Sequence, residues 1–207
     1  MIVLAGPSGS GKSRLAERLG RSRGWPTLRL DDFYRDGDEP DLPRIADGAN
    51  AGLVDWDHPG SWHCDDAVAA IRALCEQGRT EVPEYSIAQS RRTGTQSLDL
   101  GGARVFCAEG IFADEVVERC RAEGLLEAAY CITQHPLVTF VRRLTRDLRE
   151  RRKPPLVLVR RGWALLRAQR RVVRRAVQVG CRVATGDRAH AELTGRAGGG
   201  SSHVLAG

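Results

Sequence analysis

The chain has 207 residues, 42% of them hydrophobic, and a formal net charge of +6. That size suits one α/β domain with a full core. No apolar run approaches the roughly 20 residues of a membrane span, and six scattered cysteines without a C-x-x-C pair argue against a disulfide scaffold or a zinc site.

An apolar run, Ile2-Val3-Leu4-Ala5, reads as a buried strand beginning directly after Met1. We therefore expect no signal or transit peptide, a cytoplasmic chain and reduced thiols. The run feeds Gly6-Pro7-Ser8-Gly9-Ser10-Gly11-Lys12-Ser13, which fits G-x-x-x-x-G-K-[ST], the phosphate-binding loop. In that motif the glycines turn backbone N–H groups toward one anion. The lysine places a cation on the β- and γ-phosphates, and the serine hydroxyl reaches Mg²⁺. Lys12 is one of only two lysines beside thirty arginines, so no lysine-rich background supplies it. Leu15, Ala16 and Leu19 share one face of a helix expected over Lys12–Arg21, whose positive end points at the same phosphates. A bound nucleoside triphosphate with Mg²⁺ is expected from this loop.

Thr27–Leu30 is expected to be a short strand ending in Asp31-Asp32-Phe33-Tyr34, followed by a long Asp/Gly/Pro-rich loop over 35–63. Asp65–Gln77 has helical spacing, and Val82–Ser86 and Ser97–Leu100 read as short β pieces around a polar loop. Arg104–Ala108 is a buried strand ending on Glu109-Gly110; a helix is expected near Ala113–Glu123 and a strand over Ala129–Thr133. Pro136 opens a helix to about Arg152, Pro154-Pro155 interrupts it, and a second basic helix runs from about Leu156 to Gln178. Cys181–Thr185 is a last strand before a short helix, and from Gly195 to Gly207 a Gly/Ser-rich disordered tail is expected. Strands alternating with helices predict a parallel sheet with helices on both faces and phosphates at the strands' carboxyl ends, one domain over residues 1–194.

Charge is segregated. Between Arg142 and Arg175 lie fourteen Arg or Lys and two acids, a local net of +12 that leaves −6 for the rest. Such a stretch points to an anionic partner. Phosphoryl transfer needs a carboxylate near the acceptor hydroxyl, a metal-orienting acid and cations for the moving charge. Asp31 and Asp32 are both placed to accept a hydroxyl proton or, equally, to cap a loop. Glu109 is placed to serve Mg²⁺ or to end a strand as a plain carboxylate. An Arg-rich lid would neutralise transferring phosphate; an ordinary solvated basic helix has the same pattern. A different class keeps the nucleotide site and uses the Arg-rich helix to bind RNA or an anionic surface. Trp163 is the only aromatic in that helix, which argues against single-strand stacking.

Over about residues 2–152 the chain resembles the uridine kinase and phosphoribulokinase group of P-loop kinases. The likeness rests on GPSGSGKS, DDFY at 31–34, DWDHPGSW at 55–62, PEYS at 83–86, AEGIF at 108–112 and RRLTRDLRER at 142–151. It implies the P-loop NTPase fold with an Arg-rich helical lid at about 142–178, and ATP-dependent phosphorylation of a primary hydroxyl on a nucleoside-like small molecule. It implies Asp31 as the base on the ribose 5′-hydroxyl, with Asp32 only its neighbour. Tyr34, Asp57, His58, Tyr85 and Gln89 fall to the substrate pocket, and Ser13 and Glu109 to the metal. Gly6, Ser8, Gly9, Ser10, Gly11, Lys12, Ser13 and Arg143 fall to ATP; Lys12, Arg146 and Arg151 would offset developing charge. A homo-oligomer is also implied. Two departures matter: Ser86–Arg91 has no histidine where uridine kinases read the pyrimidine, leaving Gln89 as an amide substitute, and the region after Arg151 has its own course. Base identity is not inherited, so a kinase of another sugar or vitamin-like alcohol is the nearest alternative.

Overall fold

The computed structural model describes residues 1–48, 50–134 and 170–196. Five short strands form one parallel sheet: β1 (Ile2–Ala5), β2 (Thr27–Arg29), β5 (Cys107–Glu109), β6 (Ala128–Ile132) and β7 (Arg182–Ala184), in the order β2-β5-β1-β6-β7. The order reverses about β1, which carries the phosphate-binding motif at its carboxyl end, where open parallel sheets bind ligands.

Side-chain alternation divides the core into two layers. Ile2, Leu4, Cys107, Tyr130 and Ile132 pack with Leu15, Ala16 and Leu19 of α1 (Lys12–Arg23). Ala189 and Leu193 of a C-terminal helix, Gly186–Arg196, complete that layer. On the opposite face Val3, Ala5, Ala108 and Cys131 meet α2 (Cys64–Gln77), α3 (Val117–Ala122) and α4 (170–178), through residues such as Ala67, Val68, Ile71, Val117 and Ala176. The terminal helix is thus α5, tied to α1 by the Arg18–Asp187 ion pair at 2.5 Å and by Arg23 donating to the Thr194 carbonyl. The P-loop NTPase architecture expected from the sequence is present, with helices on both faces.

Four expectations are corrected. The strand expected from Arg104 begins at Cys107, because the chain bends at Arg104 and joins β2's side of the sheet only where the Cys107 N–H reaches the Pro26 carbonyl at 2.9 Å. The helix expected from Ala113 begins at Val117, since residues 111–116 form successive turns closed by bonds such as Glu115 N–H to Phe112 O at 3.0 Å. The two short β pieces extend into one longer antiparallel ribbon, β3 (Arg79–Ser86) against β4 (Arg91–Asp99), apart from the main sheet. Finally, α5 carries Gly195 and Arg196, two residues of the expected tail, in helix. The helix expected from Pro136, the lid arginines Arg143, Arg146 and Arg151, most of the second basic helix and the rest of the tail lie outside the described residues; only 170–178 of the basic stretch is described, as helix.

Candidate active site

Residues 6–11 make a tight turn from β1 into α1. Gly6 (φ 135°) lies so close to β6 that a Cβ there would meet the Ile132 carbonyl oxygen at 2.4 Å. Lys12 folds back over the turn, its buried Nζ donating to the carbonyls of Gly6 (2.9 Å) and Pro7 (3.2 Å). The Ser10 hydroxyl is buried and has no partner among the described residues, and α1 has no acid in its first turn to offset its positive end. A cation on backbone carbonyls, an unused hydroxyl and an uncompensated helix terminus fit a polyphosphate. Ser13 donates from Oγ to Glu109 Oε1 at 3.1 Å. A hydroxyl and a buried carboxylate at that spacing suit a hard divalent cation, directly or through its waters.

Glu109 reaches Ser13 because β5 places it on the α1 side of the sheet, opposite Leu4. Burial pushes its carboxyl above the usual range; Lys12 opposes this, Asp31 adds to it, and the Ser13 bond and Arg29 oppose it. The next residue is Gly110, where a Cβ would meet Asp31 Oδ1 at 2.8 Å and Leu30 Cβ at 2.9 Å. Without a side chain there, Asp31 closes onto the strand end, and its Oδ1 accepts from the Ile111 N–H at 2.8 Å. Asp31 and Asp32 occupy a 3₁₀ turn, Leu30–Phe33, at the carboxyl end of β2. Their side chains part company: Asp31 turns to Gly110-Ile111, while Asp32 is buried 3.5 Å from the Arg29 guanidinium.

Burial raises Asp32 to about 6, with Arg29 opposing and Asp31 and Glu84 adding. A carboxyl raised on folding holds more protons in the native state between its unfolded value of 3.8 and about 6. Native stability therefore falls as pH rises through that window, and the penalty is complete above it. Urea unfolding of the ligand-free protein is expected to give a higher midpoint at pH 5 than at pH 7, and Asp32→Asn to reduce that difference. An unchanged pH dependence in the variant would remove Asp32 from the account.

Beyond Asp31 the chain builds an aromatic cluster. The Tyr34 ring lies 5.7 Å from Trp56, 5.7 Å from Tyr85 and 5.8 Å from Phe112, and Phe112 lies 5.9 Å from Trp62. Tyr34 Oη donates to the Trp56 carbonyl and Tyr85 Oη to the Arg35 carbonyl, each at 3.1 Å. Trp62 Nε1 donates to the Leu30 carbonyl at 2.7 Å, tying the long loop to the strand end that carries Asp31. Arg35, Glu39 and His63 pin the same loop, with Arg35 Nε to Glu39 Oε2 at 2.9 Å and His63 Nε2 to Glu39 Oε1 at 3.3 Å.

The fold thus brings Gly6–Ser13, Glu109 and Asp31 to one end of the sheet and sets Tyr34 and Tyr85 beside them. Asp57 and His58 are exposed in the turn after Trp56, where the Asp57 N–H donates to Asp55 Oδ1 (3.1 Å) and His58 Nδ1 accepts from the Gly60 N–H (3.0 Å). Gln89 is exposed at the hairpin tip, next to Ser90, whose carbonyl accepts the Gly37 N–H at 2.7 Å. Trp56, Trp62, Phe112, Asp114 and Arg175 also join this region without having been singled out for it. An aromatic one residue after a strand-end Glu-Gly-Ile, as Phe112 is, was the available signal.

Residues 1–154 match the Phosphoribulokinase / Uridine kinase family. A uridine kinase of Deinococcus deserti is 33% identical over 162 residues, covering 75% of this chain and 72% of that protein. A uridine kinase of Saccharomyces cerevisiae is 31% identical over 151 residues, covering 72% of this chain but only 29% of its own length. A solved structure described as a fructose transport system kinase from Silicibacter sp. TM1040 superposes with a TM-score of 0.63 at 19% identity, over 89% of this chain and 86% of that one, which establishes a shared fold. The chain belongs to the Phosphoribulokinase / Uridine kinase family and is a small-molecule kinase.

Proposed function

We propose that this kinase transfers the γ-phosphoryl group of ATP to a primary hydroxyl of a nucleoside or similar ribose-bearing compound. The observation that carries the proposal is Asp31: a carboxylate anchored through one oxygen to the Ile111 N–H, at the sheet end that also holds Lys12, Ser13 and Glu109, with an aromatic cluster alongside. Magnesium, when bound with ATP, would supply positive charge to offset that of the phosphates.

Within the protein, the backbone amides of residues 6–13 and the Lys12 ammonium would orient the donor. Lys12 would exchange the Gly6 and Pro7 carbonyls for phosphate oxygens. Ser13 and Glu109 would hold the metal. Asp31 would accept the hydroxyl proton as the oxygen attacks. Tyr34 and Tyr85 would wall the acceptor, with Asp57 and His58 at its rim and Gln89 at the hairpin tip above it. Arg143, Arg146 and Arg151 would supply the remaining cations.

A second acceptor class, another sugar or a vitamin-like alcohol, is favoured by one feature: Ser86–Arg91 has no histidine, and Gln89 is exposed. Incubation with magnesium-ATP and a panel of nucleosides, pentoses and pantothenate-like alcohols, read by mass spectrometry, is expected to show one phosphate gained on a nucleoside. Gain only on a non-nucleoside alcohol selects the second class. Tight, salt-sensitive RNA retention with no acceptor phosphorylated would instead favour a nucleotide-gated binding module.

A further inference from the structure

We propose that Arg175 is a positioning residue for phosphoryl transfer, acting through the segment 109–115; this rests on the function proposed above. Arg175 lies in α4, far in sequence from every motif of the site. Its guanidinium grips Asp114, with Nε on Oδ2 and Nη2 on Oδ1 at 3.1 Å, and lies 3.4 Å from Glu115 through Nη1. The Asp114 side chain is fully buried, so this bidentate pair has little water to compete with it. The same guanidinium lies 5.6 Å from the centre of the Phe112 ring, within range of a cation–π contact.

What makes the grip relevant to chemistry is the segment it holds. In seven residues that segment presents Glu109 to Ser13, the Ile111 N–H to Asp31, and the Phe112 ring to Tyr34 and Trp62. It is not helical: the turns over 111–116 leave it few hydrogen bonds of its own. A segment so placed needs an outside anchor to keep the Ile111 amide on the Asp31 carboxylate. Among the described residues, Arg175 is the side chain that holds its far end by ion pairing. Loss of the grip is expected to let the Ile111 amide drift and the aspartate with it. The donor cradle at residues 6–13, braced by β6 and α1, should be undisturbed. Small misplacements of a reacting group can cost about 10²-fold in rate.

The test is Arg175→Gln, with Arg175→Lys as the second variant because it keeps a cation opposite buried Asp114, and Arg188→Gln as an ion-pair control remote from the site. Two quantities are read: hydrogen exchange of the Ile111 amide, and transfer to the best acceptor of the panel. The proposal expects Ile111 exchange to rise at least about tenfold with Val3 and Leu4 amides unchanged. It expects kcat to fall about tenfold or more while ATP affinity stays within about twofold. Arg188→Gln should leave both at wild-type level. Should Arg175→Gln not fold, the same changes are expected in Arg175→Lys at smaller size, since a lysine cannot reproduce the bidentate geometry. Unchanged Ile111 exchange in the folded variant overturns the proposal, as does faster exchange with undiminished kcat. Failure of the wild-type protein to phosphorylate any acceptor strikes the proposed function instead, and the exchange rates then judge the clamp alone.

Discussion

Asparagine at position 31 is expected to abolish nearly all transfer, lowering kcat by about 10²–10⁴-fold, while ATP and magnesium still bind. The substitution is close to isosteric, so its Oδ1 can keep the 2.8 Å bond to the Ile111 N–H and the turn Leu30–Phe33 should survive. What is lost is a negative oxygen able to take a proton. Among the described residues the second Asp31 oxygen has no hydrogen-bond partner, which leaves it for an acceptor hydroxyl. Asp32 is a poor substitute, because its side chain is buried against Arg29 rather than turned to Gly110-Ile111 where Asp31 sits. The check is steady-state turnover on the best acceptor together with calorimetric ATP titration. Wild-type turnover in Asp31→Asn would remove this residue as the base; lost ATP binding would mean that the substitution had disturbed the cradle.

How far this site was legible beforehand depended on how each residue announces itself. The phosphate loop, Asp31 and Glu109 stand at the ends of apolar runs, so the change from buried strand to polar turn marked them directly. The strands β1, β2 and β6 were marked the same way to within a residue or so. The hairpin was less visible. Nearly every residue of β4 is exposed, so Arg91–Asp99 lacks the alternation that a half-buried strand would write into sequence. Residues 111–116 misled in the other direction. Phe112, Ala113, Val116 and Val117 have apolar spacing compatible with a helix, but Asp114 turns inward to Arg175 and the chain follows it in turns. An ion pair sixty-one residues apart in sequence leaves no local trace. Trp62 and Trp56 were visible only as parts of DWDHPGSW; their role as walls of one aromatic cluster with Tyr34 comes from folding the long loop back over β2.

Alanine at Gly6 is expected to be the most damaging small substitution in the cradle, because two independent costs coincide there. The backbone sits at φ 135°, a conformation L side chains rarely adopt, and the new methyl would lie 2.4 Å from the Ile132 carbonyl oxygen and 3.1 Å from its nitrogen. A flexible side chain could yield to such a clash; these are backbone atoms at the end of β6, which β1 and β7 hold on either side. Relief therefore requires β1 and β6 to part at the end where the phosphate loop begins. Together the strain and overpacking should cost about 2–5 kcal/mol, and ATP affinity should fall by more than about tenfold, since the loop's amides are aimed by that junction. Gly24→Ala separates the two costs. Gly24 is also left-handed, at φ 67°, but a Cβ there meets nothing within 4 Å, so it should cost only about 1 kcal/mol and leave ATP binding intact. Urea unfolding of both variants decides the matter: equal losses would mean that dihedral strain alone accounts for Gly6 and that the close approach to β6 is relieved without consequence for the cradle.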